Sequence, residues 1–303
     1  MKILVTGATG FVGRAVVKEL LDQNHDVVVL TRNIAKAALT LGSKCRYFQW
    51  ADNSTKAPME AFEGVHGVIN LMGEGIADKP WDDAQKKKIY SSRIEGTARL
   101  VEAMAAMPKK PAVLVSASAI GIYGDRGSEE LSENSNLGDG FLARICKDWE
   151  KETNRAKDLG VRVVIIRTGV VIGKNGGALK KMLPIFKLGL GGKLATGHQY
   201  MSWIHLQDLA RMYVEAIKEP ALTGVFNGVS PYPATNEEFT KVLGSALSRK
   251  TFFPVPAFAL NLVFGEMSSV LLESQRVLPA HFKQAKFHYH YPTLAMTLKE
   301  TAF

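Results

Sequence analysis

Hydrophobic positions recur along the chain in two alternating textures. Lys2 to Thr6 is a short β-rich run, and after a glycine-rich turn Phe11, Val12, Ala15, Val16 and Leu20 fall on one helix face. The first texture returns at residues 27–30, 68–71, 112–115 and 162–167, each time after helix-compatible sequence. That alternation predicts an α/β chain with a doubly wound parallel sheet. Two long amphipathic stretches, at about 82–107 and 141–159, end at Pro108 and Gly160 and are expected to be helices flanking the sheet.

Beyond Gly173 the texture changes. Gly176, Gly177, Gly189, Gly191 and Gly192 alternate with Lys174, Lys180, Lys181, Lys187 and Lys193, as in a loop-and-helix lobe. Strand and helix patterning returns through 203–216, and 225–228 reads as a last sheet strand. The expected organisation is therefore a nucleotide-binding unit at 1–171 continued by about 203–228. A smaller, discontinuous C-terminal substrate lobe is expected from 172–202 and 229–303. The last part carries apolar helical segments and an aromatic and histidine stretch at 287–292, without repeats or low complexity, and is expected to be folded.

Composition narrows the function. The 303 residues are 46% hydrophobic, enough for a large core. The formal charge of +9 is spread along the chain rather than gathered in a block, which favours a small anionic ligand and excludes a nucleic-acid stripe. Lys86, Lys87 and Lys88 follow Asp82 and Asp83 without aromatic residues between them, as on a solvated helix face. Two cysteines, Cys45 and Cys146, without metal-ligand spacing, exclude a disulfide framework and a zinc site. No stretch approaches the roughly 18 apolar residues of a membrane span, and the first residues run straight into the opening strand. A cytoplasmic protein without a membrane partner is expected, its oligomeric state left open.

The strongest local signal is Gly7-Ala8-Thr9-Gly10-Phe11-Val12-Gly13, between a strand and a helix. Its glycines permit a tight turn and a close approach of backbone N–H groups to a pyrophosphate, and the helix N-terminus favours negative charge. This is a Rossmann dinucleotide fingerprint, with Gly7, Thr9, Gly10, Phe11, Val12 and Gly13 as cofactor-binding residues. An acidic residue at the end of the second strand would select NAD. Here that strand ends Thr31-Arg32, with no carboxylate after it, so Thr31 and Arg32 point to the 2′-phosphate of NADP(H).

Further motifs extend the pattern: Asn70-Leu71-Met72-Gly73, Gly96-Thr97, Ser116-Ala117-Ser118-Ala119 with Tyr123-Gly124, Arg167-Thr168-Gly169, and Trp203 through Asp208. Together they resemble the extended short-chain dehydrogenase/reductase class over nearly the whole chain. Gly73 to Ala77, Ser92 to Thr97, Lys147 to Glu150, Gly189 to Gly192 and Leu272 to Pro279 are similar to an uncharacterised epimerase-like family with a C-terminal extension. Its members are often labelled sugar-nucleotide epimerase or cell-division inhibitor.

The resemblance implies that Leu71 and Met72 border the cofactor and that Lys147 holds its ribose. It also implies that Ser118, or alternatively Ser116, orients a substrate oxygen. In the class a tyrosine four residues before the lysine moves the proton; here that position is Ala143, which has no proton to move. Tyr123 or Glu74 is the alternative donor. Where the class has asparagine, three residues before Gly96, this chain has Arg93, placed to reach a cofactor phosphate or an acidic substrate group. His205 and Asp208 sit three apart but read as structural, Asp208 capping a helix. The expected function is an NADP(H)-dependent oxidoreductase or epimerase-like enzyme acting on a small carbonyl or hydroxyl compound; the alternative is a catalytically impaired NADP(H)-binding sensor.

Overall fold

A computed structural model of the chain describes residues 1–52 and 54–302. Seven parallel strands form the central sheet: β1 (Lys2–Thr6), β2 (Asp26–Thr31), β3 (Cys45–Gln49), β4 (Gly67–Asn70), β5 (Val113–Ala119), β6 (Arg162–Thr168) and β7 (Gly224–Gly228). Their order across the sheet is β7-β6-β5-β4-β1-β2-β3. The chain winds outward from β1 to β3, then returns to lay β4 beside β1. This reversal opens a crevice at the carboxyl ends of β1 and β4, where ligands bind in such sheets.

Strand alternation builds two cores rather than one. Ile3, Val5, Val27, Val29, Val164 and Ile166 point to one face, packed by α1 (Phe11–Asp22) and α6 (Leu206–Lys218). Leu4, Val28, Leu30, Leu114, Val163 and Ile165 point to the other, packed by α3 (Asp83–Ala106). Both faces are covered, so the strands read as nearly continuous apolar runs. The exception is β3, which has only Cys45 buried and pairs with β2 alone at the sheet edge. Periodicity does not mark it because a half-exposed edge strand has no apolar run to show.

Two long helices lie where the pattern places them, with one refinement. Asp82 caps α3 by accepting from the Gln85 N–H at 2.7 Å. The second ends its α-helical part at Asn154, as α4 (Phe141–Asn154), and Arg155–Leu159 tightens into a 3-10 turn before Gly160, which takes a left-handed φ of 75°. A third core gathers Ile172, Leu179, Trp203, Phe239, Leu243 and Leu298 around α5 (Gly177–Lys187), α7 (Asn236–Ala246) and the Leu294–Thr301 helix. A short apolar helix, α8 (Ala257–Phe264), follows α7.

Candidate functional site

The cleft begins at the turn after β1. Gly7 has φ of +64°, and a Cβ there would stand 2.3 Å from the Leu71 carbonyl oxygen, so only glycine fits. At Gly13 a Cβ would meet the Gly7 oxygen at 2.2 Å, which fixes how tightly α1 sits on the loop. Gly10 opens α1 without any side-chain cap, leaving its first-turn N–H groups to a ligand.

These residues form one wall of a cleft of about 510 Å³, together with Thr31, Arg32, Leu71 and Met72. Of the expected cofactor residues, Gly7, Thr9, Gly10, Thr31, Arg32, Leu71 and Met72 line it. Phe11, Val12 and Gly13 stand behind the loop. The Phe11 side chain turns away, its ring lying against Gly173, Gly176 and Gly177, where added Cβ atoms would come within 3.1 Å or less of it. Asn33, Lys36, Trp50, Gly73, Glu74 and Ser92 also line the cleft; of these, Gly73, Glu74 and Ser92 fall within the motifs read from the sequence, while Lys36 and Trp50 do not. Asn33 caps α2 (Ile34–Leu41) by accepting from the Lys36 N–H, bringing Lys36 to the cleft beside Arg32. The cap residue after a strand was the signal available for Lys36. Two cations therefore share this end of the cleft, and Glu74, at the other end, is its one lining carboxylate among the described residues.

Beneath the cleft a buried polar network ties the strand ends together. Thr6 donates to Asn70, which donates to Thr97 and Ser116, and Trp149 donates to Thr97. Ser116 is thus a structural residue of β5.

The expected catalytic residues meet a different fate. Ser118 lies within β5, is 3% exposed, and donates to Glu150 at 2.7 Å. Glu150 pairs with Arg167 through both carboxylate oxygens, at 2.8 and 2.9 Å. Burial opposes the guanidinium charge, but Glu150 holds the Arg167 pKa above its ordinary value. Tyr123 is wholly buried, donates to Asn227 and accepts from Arg167. Burial raises its pKa against the pull of that arginine. Neither residue lines the cleft: both hydroxyls are bonded within a buried ion-pair network.

Lys147 does not line the cleft; its Nζ lies 3.6 Å from the Asp139 carboxylate, half-exposed. Ala143, one turn earlier on α4, is only 1% exposed. Arg93 also stands one layer back. Its guanidinium packs on Gly73, donates to the Glu74 and Ile89 carbonyls and lies 5.3 Å from the Trp149 ring. There it braces the turn at 73–74, and burial lowers its pKa.

A second cavity, of about 180 Å³, lies between Trp81, Gly121, Asp139, Leu142 and Glu273. Glu273 was not singled out in the sequence. It is partly buried, and burial followed by the Asp125 carboxylate raises its pKa. The segment carrying it is laced down: Ser274 receives from Tyr200 N–H and donates to Gly127, and Leu278 accepts from Asn227.

His205 and Asp208 are structural. His205, rather than Asp208, caps α6, and its other ring nitrogen lies 3.2 Å from Glu300. The Asp208 carboxylate accepts from the His290 and Tyr291 N–H groups, pinning the C-terminal stretch.

The NAD dependent epimerase/dehydratase family model matches residues 3–227, which span the sheet and the cleft. The chain belongs to this family. A domain of unknown function, DUF1731, matches residues 255–301, the stretch that carries Glu273 and Ser274. The Arabidopsis thaliana epimerase family protein SDR39U1 homolog, named as chloroplastic, is 40% identical over 301 residues, covering 96% of this chain and 84% of that protein. Human epimerase family protein SDR39U1, solved with NADPH, superposes with a TM-score of 0.89 at 33% identity, over 100% of this chain and 99% of that one. A Bacillus cereus UDP-glucuronic acid 4-epimerase, at 18% identity and a TM-score of 0.80 over 100% of this chain and 98% of that one, shares the fold. No helix among the described residues is long and apolar enough to cross a membrane.

Proposed function

We propose that this protein binds NADP(H) in the 510 Å³ cleft and acts as an oxidoreductase or epimerase-like enzyme on a small, anionic carbonyl or hydroxyl compound. The observation that carries the reading is the union of an uncapped phosphate loop with Arg32 and Lys36 at the end of β2, where no carboxylate competes. Backbone N–H groups of the loop would hold the pyrophosphate, and the two cations the 2′-phosphate. The NADPH in the human relative's structure supports the same choice. When bound, the cofactor supplies or accepts hydride.

The proton needs another source, because Ala143 has none and Ser118 and Tyr123 are committed elsewhere. Two carboxylates are the candidates we assign to it: Glu74, which lines the cleft, and Glu273, which faces the second cavity with its pKa raised by burial. Purified protein tested for NADPH oxidation against a panel of carbonyl compounds checks the reading. Glu273→Gln should lower kcat at least about tenfold with NADPH affinity unchanged; unaltered turnover removes Glu273 from the mechanism and leaves Glu74.

A second reading, a cofactor-dependent sensor, is favoured by one contact. The Phe11 ring, rooted in the phosphate loop, lies against Gly173, Gly176 and Gly177, so occupancy of the loop has a route to the second lobe. Absence of turnover across the panel, with NADPH-dependent protection from hydrogen exchange at 173–177, would select this reading. Two free, buried cysteines suit a reducing compartment, and we place the protein in the cytoplasm on that ground.

A further inference from the structure

Among the carboxylate-free stretches of the chain, two meet on one surface. Residues 174–200 contain five lysines and no Asp or Glu, and residues 239–265 contain Lys241, Arg249 and Lys250 and no Asp or Glu. The fold lays them side by side: Arg249 Nε donates to the Lys187 carbonyl at 3.0 Å, Val255 N–H to Lys193, and Ala195 N–H to Val255.

The same surface is strongly apolar. Leu188 is 75% exposed, Phe258 73% and Leu262 84%, with Leu190, Phe252, Phe253 and Val263 also exposed. Phe258 and Leu262 stand four apart on α8, so they share a face, and only Leu260 of that helix is buried. An exposed apolar surface of this kind in a water-soluble fold marks a contact site.

Charge decides what the contact is. The neighbouring carboxylates are already paired: Glu237 with Lys193 and Lys241, and Glu266 with Lys86. Lys181 and Lys174 are likewise matched, by Asp78 and Glu300. Lys180, Lys187, Arg249 and Lys250 have no carboxylate within ion-pair distance among the described residues, and Lys250 instead lies 5.5 Å from the Phe252 ring. A two-fold contact between copies through this face would set these cations against their own kind. An anionic bilayer meets both features, accepting rings and aliphatic side chains at the headgroup boundary and Lys and Arg among the phosphates.

We propose that the face formed by residues 185–190 and 249–263 docks on an anionic lipid surface. The contact is peripheral and reversible, and it revises the sequence expectation of no membrane partner, which rested on the want of a spanning stretch. It is independent of the cofactor reading.

Co-sedimentation of the full chain with extruded vesicles tests it. Partition onto vesicles containing about a third phosphatidylglycerol should exceed that onto phosphatidylcholine alone by at least about tenfold, and should fall as salt rises. Phe258→Ser with Leu262→Asp, and separately Lys187→Glu with Arg249→Glu, should each lower partition about tenfold or more with the circular dichroism spectrum and melting temperature retained. The two variants differ in chemistry, so either one that stays folded decides the result. Equal partition onto both vesicle types, or wild-type partition by a variant that stays folded, overturns the proposal. So does a concentration-dependent dimer in sedimentation velocity that Leu262→Asp dissolves, which would assign the face to a second copy.

Discussion

At the carboxyl ends of β1 and β2 the polar groups face an open cleft, whereas at the carboxyl end of β5 they face one another. The first region keeps an uncapped helix end, a glycine turn and two cations around 510 Å³ of space. In the second, Ser118, Glu150, Arg167, Tyr123 and Asn227 satisfy each other's hydrogen bonds in a sealed network. Both regions descend from the same architecture and sit along the same sheet edge. The open region rests on backbone shape, whereas the closed one rests on a few side chains bonded inward.

The largest expected effect falls on the sealed region. Glu150→Ala leaves the Arg167 guanidinium buried without its partner, and should cost about 3–5 kcal/mol of stability, read by chemical denaturation. Folded molecules of that variant should still bind NADPH, since Glu150 does not line the cleft. A parallel loss of affinity would break the separation. Gly7→Ala strikes the open region instead. Its left-handed φ and the 2.3 Å approach to the Leu71 oxygen predict a loss of about 2 kcal/mol or more, together with loss of NADPH binding by calorimetry.

Restoring the class tyrosine probes the boundary between the regions. Ala143 is 1% exposed, so Ala143→Tyr overpacks α4 and should destabilise by about 1–3 kcal/mol without raising turnover. A gain in NADPH oxidation with unchanged stability would show that the pocket still accommodates the ring. The smallest effect is a pH dependence at His205. Burial lowers its pKa below the ordinary 6.5, with Glu300 opposing. The unfolded chain therefore binds the proton more readily than the folded one, and stability should fall as pH drops from about 6.5 toward the lowered folded value. His205→Gln should flatten that slope in melts taken across this range.

The sheet was legible because its five inner strands are buried on both faces and read as apolar runs; β3 escaped because a polar edge strand carries no such mark. Gly7, Gly10 and Arg32 were legible because local chain geometry dictates them: a turn after a strand and the end of the next strand. Lys36 had a local signal in the Asn33 cap, whereas Trp50 joins the cleft through tertiary packing, which no short spacing records. The positions of Ser118 and Lys147 matched a pattern, yet pattern says nothing of which way a hydroxyl points. Ser118 bonds to Glu150, 32 residues away, and Glu273 reaches its cavity from the far end of the chain. Arg93 differs from the class residue for a reason seen only in three dimensions, the Gly73 backbone and Trp149 ring that enclose it.

The claim that Arg32 makes this an NADP(H) cleft is tested most directly by isothermal calorimetry of NADPH and NADH on the wild-type chain and on Arg32→Ala. Wild type should prefer NADPH. Arg32→Ala should weaken NADPH about 10- to 100-fold, as for loss of a charge-assisted phosphate contact, while NADH changes less than about threefold. Equal losses for the two cofactors, or no loss for NADPH, would contradict it.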